Sequence, residues 1–455
     1  MSFPPPDIVE EILKHLPPFH LFPVLFVNRK WYQEAKKNLI HGLSTKGSTE
    51  VDRVVSRHNF AITTLLVWNC KRANRDTVDW IIQTLRPNAN MDFIQEGFVC
   101  KAAAFGGDLD MLRSVRAAGF SWTITSWTAA STKGDTSMLD YLKANDCPDT
   151  YFEMEENSIG RRAGYRGDLD ILNWFYTNRY HYLIPDVIRG AAEAGNREII
   201  KWLMDKGFQL DSQVMTGAAQ TSDPSLLLWL RSLGCPWDET ACAAAAKHGQ
   251  IEVLQWLHEN GCPWSAETSH NAIKAGHLRI LEYARERGCP WEENKVATIA
   301  AQNGHLDILQ WISINGGELH EQIYNRAAYY GHFHVIKWAR ENDCPWQESA
   351  CSNAAAGGHL DILQWLRDKG CPWDSLVTVN AACAGRIDIL RYAKENRCRW
   401  DGLAACLAAQ ADQIDTLEWL RENDAPWDVV RIKSMASPKS LKWLESIEAE
   451  PDEVN

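Results

Sequence analysis

A phrase of about 27 residues recurs along most of this chain, and no other feature constrains its fold as strongly. One copy runs from Gly358 to Asp374 and reads Gly-His-Leu-Asp-Ile-Leu-Gln-Trp-Leu-Arg-Asp-Lys-Gly-Cys-Pro-Trp-Asp. The tryptophan of its Leu-Gln-Trp segment has counterparts at intervals of 27 residues, as at Trp311, Trp338 and Trp365. Self-similarity at a fixed period indicates an array of stacked supersecondary units.

Each copy of the phrase predicts two helices joined by a tight turn. In the copy around Cys-Pro-Trp at residues 235–237, Asp238 is a good N-cap for an alanine-rich helix, Glu239–His248. Gly249 then supplies a left-handed stop, and a second helix with larger side chains follows over Gln250–Glu259. One such unit cannot bury its apolar face, whereas stacked neighbours can. The sequence therefore predicts an all-α, helix-turn-helix repeat solenoid.

The repeat defines the predicted division of the chain. The periodic array is expected over residues 101–447, and residues 43–100 are expected to be a linker or a degenerate capping repeat. Residues 1–42 do not repeat. The last segment, 448–455, is acidic, and we expect a disordered tail there.

Composition excludes several classes of partner. The formal net charge is −12, and no basic block interleaved with aromatic residues is present, so we expect no nucleic-acid partner. The acidic balance also disfavours an anionic membrane surface, and no apolar run is long enough to cross a bilayer. No signal peptide is recognisable at the N-terminus, and the 13 cysteines are interpreted as reduced, buried thiols of a cytoplasmic protein.

The recurring histidines and cysteines could suggest chemistry, but their spacing argues against it. The histidines occur once per unit, and adjacent units lie roughly 10 Å apart, too far to share a zinc ion with ~2 Å bonds. Cys351 falls in a column that elsewhere holds Ser269 or Thr378, and a column of interchangeable small residues indicates packing. We therefore expect no metal, no cofactor and no enzymatic activity. The tryptophans are also expected to pack, with exposed binding anchors as the alternative.

The N-terminal 42 residues contain more apolar surface than they can bury alone. Ile8, Ile12 and Leu16 fall on one stripe of a predicted helix, and two further short helices are expected before residue 42. Three short helices cannot bury so many apolar side chains among themselves. The segment either binds a partner or caps the array, and the residues alone leave both alternatives open.

The same segment resembles an F-box. The run Pro5-Pro6-Asp7-Ile8-Val9-Glu10-Glu11-Ile12-Leu13-Lys14-His15-Leu16, followed by Leu21 and by Val27-Asn28-Arg29-Lys30-Trp31, matches the signature of that family. The resemblance implies a small three-helix module that docks on the Skp adaptor of Skp–cullin–F-box ubiquitin ligases. By the same resemblance, the adaptor-binding residues are Pro5, Ile8, Ile12, Leu13, Leu16, Leu21, Val27 and Trp31.

The array is similar to ankyrin repeats. The resemblance rests on runs such as Ala355-Ala356-Gly357-Gly358-His359-Leu360-Asp361-Ile362-Leu363, ending at Gly370. It implies helix pairs that bind protein targets, with the projecting hairpins shortened or absent because the period is about 27 residues. The combination with an F-box, and the Cys-Pro-Trp variant in particular, resembles proteins of giant amoeba-infecting viruses, and a viral protein of this kind is expected in the host cytoplasm. The combination also occurs in eukaryotes, so a cellular origin is the alternative.

Comparison of the copies with one another indicates a candidate binding stripe. Counting from the Cys-Pro-Trp tryptophan, places eight and nine are nearly always small, whereas places three, six, seven and ten vary. Packing columns should repeat and a recognition surface should not, so we expect the varying places to line a concave groove that binds a target; the alternative is a merely solvated face. The candidate residues are His270, Lys274, Asn325, Arg326 and Tyr329.

These observations favour a protein–protein interaction adaptor, with no catalytic role of its own. The predicted function is the substrate-recruiting F-box subunit of a Skp–cullin–F-box ubiquitin ligase, a monomer outside that complex, whose array binds a target protein. The alternative is an ankyrin-type interaction scaffold or competitive binder with no link to a ligase. The sequence does not identify the target.

Overall fold

The computed structural model describes residues 70–71, 75, 78–79, 97–148 and 159–449. Within these residues the chain forms 26 α-helices in thirteen pairs and no strand. The predicted all-α helix-turn-helix array is therefore confirmed. The predicted module at 1–42 and most of the segment 43–100 lie outside the described residues. The last helix ends at Ala449, and the rest of the segment predicted as a tail lies outside the described residues.

The described residues fall into two compact units that divide between Leu210 and Asp211. The first unit contains four helix pairs, with a short 3-10 turn at His181–Leu183 before the fourth. Its helices are α1 (Phe98–Gly106), α2 (Leu109–Ala117), α3 (Thr125–Lys133), α4 (Thr136–Ala144), α5 (Ile159–Arg166), α6 (Leu169–Thr177), α7 (Ile184–Glu193) and α8 (Arg197–Asp205).

The second unit contains nine helix pairs. Its helices are α9 (Ser212–Ala218), α10 (Pro224–Ser232), α11 (Glu239–Lys247), α12 (Ile251–Glu259), α13 (Ala266–Ala275), α14 (Leu278–Glu286), α15 (Glu293–Asn303), α16 (Leu306–Ile314), α17 (Gln322–Tyr330), α18 (Phe333–Glu341), α19 (Glu348–Gly357), α20 (Leu360–Asp368), α21 (Leu376–Cys383), α22 (Ile387–Glu395), α23 (Leu403–Gln410), α24 (Ile414–Glu422), α25 (Val429–Met435) and α26 (Pro438–Ala449).

The ends of α11 and α12 follow the sequence signals. The Asp238 carboxylate accepts a hydrogen bond from the Thr240 N–H (3.0 Å) and so caps α11. Gly261, with φ of 81°, ends α12 in a Schellman motif. In that motif, the Cys262 N–H donates to the Leu257 carbonyl at 2.9 Å.

Successive first helices pack directly against each other, as α11 does against α13. Ala245 and Ala246, at the small places eight and nine, are fully buried, as are Ala354 and Ala355 in α19. The second helices bury the larger side chains, and each buried leucine contributes about 1.5–3 kcal/mol relative to leaving it exposed. The periodic alanines let the first helices approach closely enough to close this core.

Polar side chains at the start of the second helices join one pair to the preceding one. His305 Nε2 contacts the Lys274 carbonyl oxygen at 3.1 Å, and His332 Nε2 contacts the Gln302 carbonyl oxygen at 2.9 Å. The ring of His332 covers the turn glycine Gly304, where an added Cβ would lie 2.6 Å from Nδ1. This glycine has φ of 75°, so both its conformation and the space around it exclude other residues. These two recurring histidines thus cover the turns of the preceding pair.

The Cys-Pro-Trp cysteines make a second set of contacts between pairs. The Cys344 thiol donates to the His320 carbonyl oxygen at 3.3 Å, and the Cys235 thiol donates to the Asp211 carbonyl oxygen at 3.4 Å. Burial raises the pKa of Cys344 to about 12 and is the main reason that the pKa of Cys235 rises to about 11. All 13 cysteines are free thiols, consistent with the predicted packing role.

The Cys-Pro-Trp tryptophans are half-buried beneath cationic side chains. An arginine six residues earlier, near the end of the preceding second helix, covers the ring: Arg231 lies 4.0 Å above Trp237, and Arg340 lies 4.1 Å above Trp346. The edge of Trp237 also meets Trp256 on the next second helix, with ring centroids 6.0 Å apart. These contacts support packing for the recurring tryptophans rather than exposed binding anchors.

His332 provides a test of the contact between pairs. Replacing His332 by Ala should lower the free energy of unfolding by about 1 kcal/mol, because the Gln302 carbonyl loses its partner. His332→Gln should preserve stability, since Gln250 fills the same place and donates to the Gln220 carbonyl at 3.0 Å. Urea titrations of wild type and both variants would measure this.

The same variants test the effect of pH. Burial, together with the neighbouring charges of His334, His305 and His359, lowers the pKa of His332 in the folded chain. The unfolded chain therefore binds a proton first, and stability should fall as the pH drops through the ordinary histidine pKa of about 6.5. His332→Gln should weaken this dependence; an unchanged slope would contradict it.

Candidate protein-interaction surface

The structure separates the predicted binding stripe into buried and open positions. Places three and six are three residues apart, so they differ by about 60° around the helix axis. Place six turns toward the adjacent first helix and is buried in successive copies: Ala243, His270, Ala297, Asn325, Ser352 and Val379. Including place six in an exposed stripe was therefore wrong. His270 is 6% exposed and Asn325 9% exposed, so neither offers a surface to a partner.

Place six instead contributes to the stacking of the first helices. The Ser349 hydroxyl, at place three of α19, donates to Asn325 Oδ1 in α17 at 2.9 Å. Thr216 and Thr240 form the equivalent hydrogen bond earlier in the second unit, at 2.6 Å. In both cases a polar residue at place six is matched by one at place three of the next copy. This pairing is visible in the sequence, and comparing successive copies rather than single columns would have found it.

Two asparagines at place seven also contact the preceding pair while remaining half-buried. The Asn271 side chain donates to the Ala243 carbonyl oxygen at 3.4 Å, and the Asn380 side chain donates to the Ser352 carbonyl oxygen at 3.1 Å. These asparagines bind backbone oxygens at the exposed edge of the stack. Part of the variation between copies is therefore explained by local hydrogen bonding.

The buried side chain of His270 has one ring nitrogen without a hydrogen bond among the described residues. Its Nδ1 lies 3.9 Å from Glu267 Oε1, and its Nε2 has no hydrogen-bond partner among the described residues. Neighbouring Thr268 Oγ1 is likewise buried and without a hydrogen bond in the described part of the chain. Both polar atoms are buried and do not face solvent. His270 is therefore better described as part of the helix interface than as part of a binding surface.

The open part of the stripe consists of Lys274, Arg326 and Tyr329, which we call the exposed first-helix surface. Tyr329 is 43% exposed, and its ring lies 5.0 Å from that of Tyr330, which is also exposed. Within the described residues, neither Lys274 nor Arg326 forms an ion pair. Arginine and tyrosine are enriched at the energetic centres of protein interfaces. This surface offers cationic and aromatic contacts suited to a protein partner.

The described residues contain no group of three or more His, Cys, Asp or Glu side chains able to hold a metal ion. No helix among them combines the length and apolar character needed to cross a membrane.

Comparison with known proteins adds a family assignment for the N-terminus. The F-box domain model matches residues 5–41, which confirms the predicted F-box. All eight predicted adaptor-binding residues fall inside this match, but they lie outside the described residues, so their contacts stay predictions. No curated protein matches the chain by sequence.

Among solved structures, the chain is similar to the human ASB11 ankyrin repeat domain. The two are 18% identical over 35% of this chain and 84% of that one, with a TM-score of 0.31. A similarity this low supports no conclusion about function. The description of the fold rests on the helix pairs of the structure itself.

The hydrogen bond between Ser349 and Asn325 allows a double-mutant test of place six. Asn325→Ala and Ser349→Ala should each lower the free energy of unfolding, and the double variant should show a coupling of about 0.5–1.5 kcal/mol. Urea denaturation would provide the four values. Asn353→Ala, which removes a side chain bonded within its own helix to the Ser349 carbonyl, is the control. Simple additivity of the two single changes would contradict the assignment.

Proposed function

We propose that this protein is a substrate-recruiting adaptor of a Skp–cullin–F-box ubiquitin ligase. The observation that carries the proposal is the F-box match at residues 5–41, followed in the same chain by an array of helix pairs. In such an arrangement the F-box holds the Skp-family adaptor and the array holds the target. The chain thus binds two proteins at once and catalyses no reaction itself.

The target-binding part of the proposal rests on the exposed first-helix surface. Its three side chains differ from those in neighbouring copies, and the described structure gives them no ion pairs that would account for the cationic ones. A partner with acidic and apolar groups would complement Lys274, Arg326 and Tyr329. A cytoplasmic location and an origin in a giant amoeba-infecting virus belong to the same proposal as expectations from the resemblance.

The second candidate is an interaction scaffold or competitive binder with no link to a ligase. The exposed first-helix surface favours it equally, because target binding there does not require the F-box. The two candidates differ only in whether residues 5–41 engage a Skp-family adaptor.

Binding to a purified Skp-family adaptor separates the candidates. The full-length chain should form a stoichiometric complex on size-exclusion chromatography, and Leu16→Asp combined with Trp31→Ala should abolish it. These replacements remove two of the apolar residues that the F-box resemblance assigns to the interface. Lys36→Asp combined with Lys37→Ala, also within the matched segment, serves as the control and should retain binding. Equal recovery of the adaptor with wild type and the first variant would favour the scaffold.

Target capture tests the exposed first-helix surface. Combining Lys274→Glu, Arg326→Glu and Tyr329→Ala should remove the proteins that co-purify with the wild-type chain, without lowering its melting temperature. The matched control combines Lys369→Glu, Arg391→Glu and Ile314→Ala, exposed positions on or just after second helices. Quantitative mass spectrometry of both purifications gives the comparison. If both variants capture the same proteins as wild type, this surface does not bind the target.

A further inference from the structure

A surface cavity of about 320 Å³ lies on first helices of the first unit. Helices α3, α5 and α7 supply its lining. The lining residues are Thr132, Arg161, Arg162, Tyr165, Arg166 and Glu193. It shares no residue with the exposed first-helix surface, which belongs to the second unit.

The cavity is held by an unusually close approach of α5 and α7. A Cβ at Gly164 would overlap the Val187 carbonyl oxygen, and a Cβ at Gly190 would overlap the Arg161 carbonyl oxygen. Only glycine permits this separation, so the two helix backbones lie in direct contact. The arginines of α5 are therefore carried on a tightly packed support rather than on a loop.

One acidic side chain organises the floor of the cavity. Glu193 has a side chain only 6% exposed, and its two carboxylate oxygens accept from Arg161 Nε at 2.7 Å and from Arg189 Nε at 3.3 Å. A buried carboxylate shared by two guanidinium groups is fixed in place and is not available to other cations. Glu193 thus neutralises only part of the positive charge around it.

The other two arginines of α5 face the opening. Arg162, Tyr165 and Arg166 are spaced at i, i+3 and i+4, which places them on one face of the helix. All three are exposed, Tyr165 by 58%, and neither arginine forms an ion pair with another described residue. Within this chain of net charge −12, α5 contains three arginines and no acidic residue.

We propose that this arginine-lined cavity binds the carboxylate side chains of an extended acidic segment of a partner protein. Arg162 and Arg166 present planar guanidinium groups that match carboxylates in a bidentate manner, and Tyr165 packs against the peptide between them. Glu193 holds Arg161 and so keeps the floor of the cavity rigid. The proposal does not rest on the ligase link, because it concerns only residues of the array.

An acidic peptide fits these observations better than a nucleic acid. A nucleic-acid site needs a continuous basic track along several phosphates. Here the cations that form no ion pair within the described part of the chain lie within two turns of one helix. The cavity also has the size of one or two side chains rather than of a stretch of backbone. The surrounding acidity of the chain would repel a longer polyanion.

Fluorescence polarisation with the full-length chain tests the proposal. The probe is a fluorescein-labelled decapeptide with four glutamates in a Gly-Ser background, compared with the same peptide carrying four glutamines. Arg162→Gln combined with Arg166→Gln should weaken binding of the glutamate peptide at least roughly tenfold, since each charge-assisted hydrogen bond accounts for about that factor. Arg391→Gln combined with Arg421→Gln removes the same charge from exposed second-helix positions and should leave binding unchanged. Tyr165→Ala should weaken binding by a smaller factor.

Thermal melting followed by circular dichroism checks that each variant is folded. Because Arg162 and Arg166 are exposed, the melting temperatures should match that of wild type. If the double variant melts at a lower temperature, binding is measured with Arg162→Gln and Arg166→Gln separately. Equal loss of binding in the cavity and control variants would overturn the proposal, because it would show an effect of net charge alone. Equal affinity for the glutamine peptide, binding only of a phosphoserine version, or equally tight competition by a single-stranded oligonucleotide would also overturn it.

Discussion

The structure depends on the close approach of successive first helices. A single pair of nine-residue helices cannot remove its own leucines, isoleucines and tryptophans from water, so each pair must use its neighbours as the other half of its core. Alanines such as Ala245 and Ala354 make that approach possible, and at α5 and α7 the glycines Gly164 and Gly190 bring the backbones into contact. Within each unit, the recurring caps, turns and small residues keep this stack continuous.

The recurring histidines and cysteines, which could suggest a metal site or a nucleophile, form hydrogen bonds that the stacking requires. Ends of helices leave carbonyl groups without partners, and in a stack these groups are partly removed from water. The imidazole of His332 reaches such a carbonyl, that of Gln302 in the last turn of α15. The thiol of Cys344 reaches the carbonyl oxygen of His320 in the connection before α17. Because each copy has the same unsatisfied groups, each copy repeats the same solutions. In the described residues, the recurring His, Cys and Trp side chains hydrogen-bond to backbone carbonyls or stack with neighbouring side chains.

Positions that do not take part in the stacking of the first helices are free to contact other proteins. On the first helices of the second unit these are places such as those of Arg326 and Tyr329, which are both exposed. On the first unit they are Arg162 and Arg166, carried on the most closely packed pair of first helices. A scaffold of this kind can change its surface from copy to copy without altering its core, which suits the adaptor function proposed above.

The sequence by itself determined the helix pairs, their period, their caps and the family of the N-terminal segment, because these depend on local spacing and turn chemistry. Asp238 and Gly261 are examples, since a cap or a left-handed stop needs only its own neighbours. Only the tertiary structure decided which variable positions are open. His270 and Asn325 vary like surface residues yet are buried, because a rotation of about 60° around the helix directs them at the next pair. The cavity at Glu193 likewise requires two helices brought together, and no pattern within one copy could reveal it.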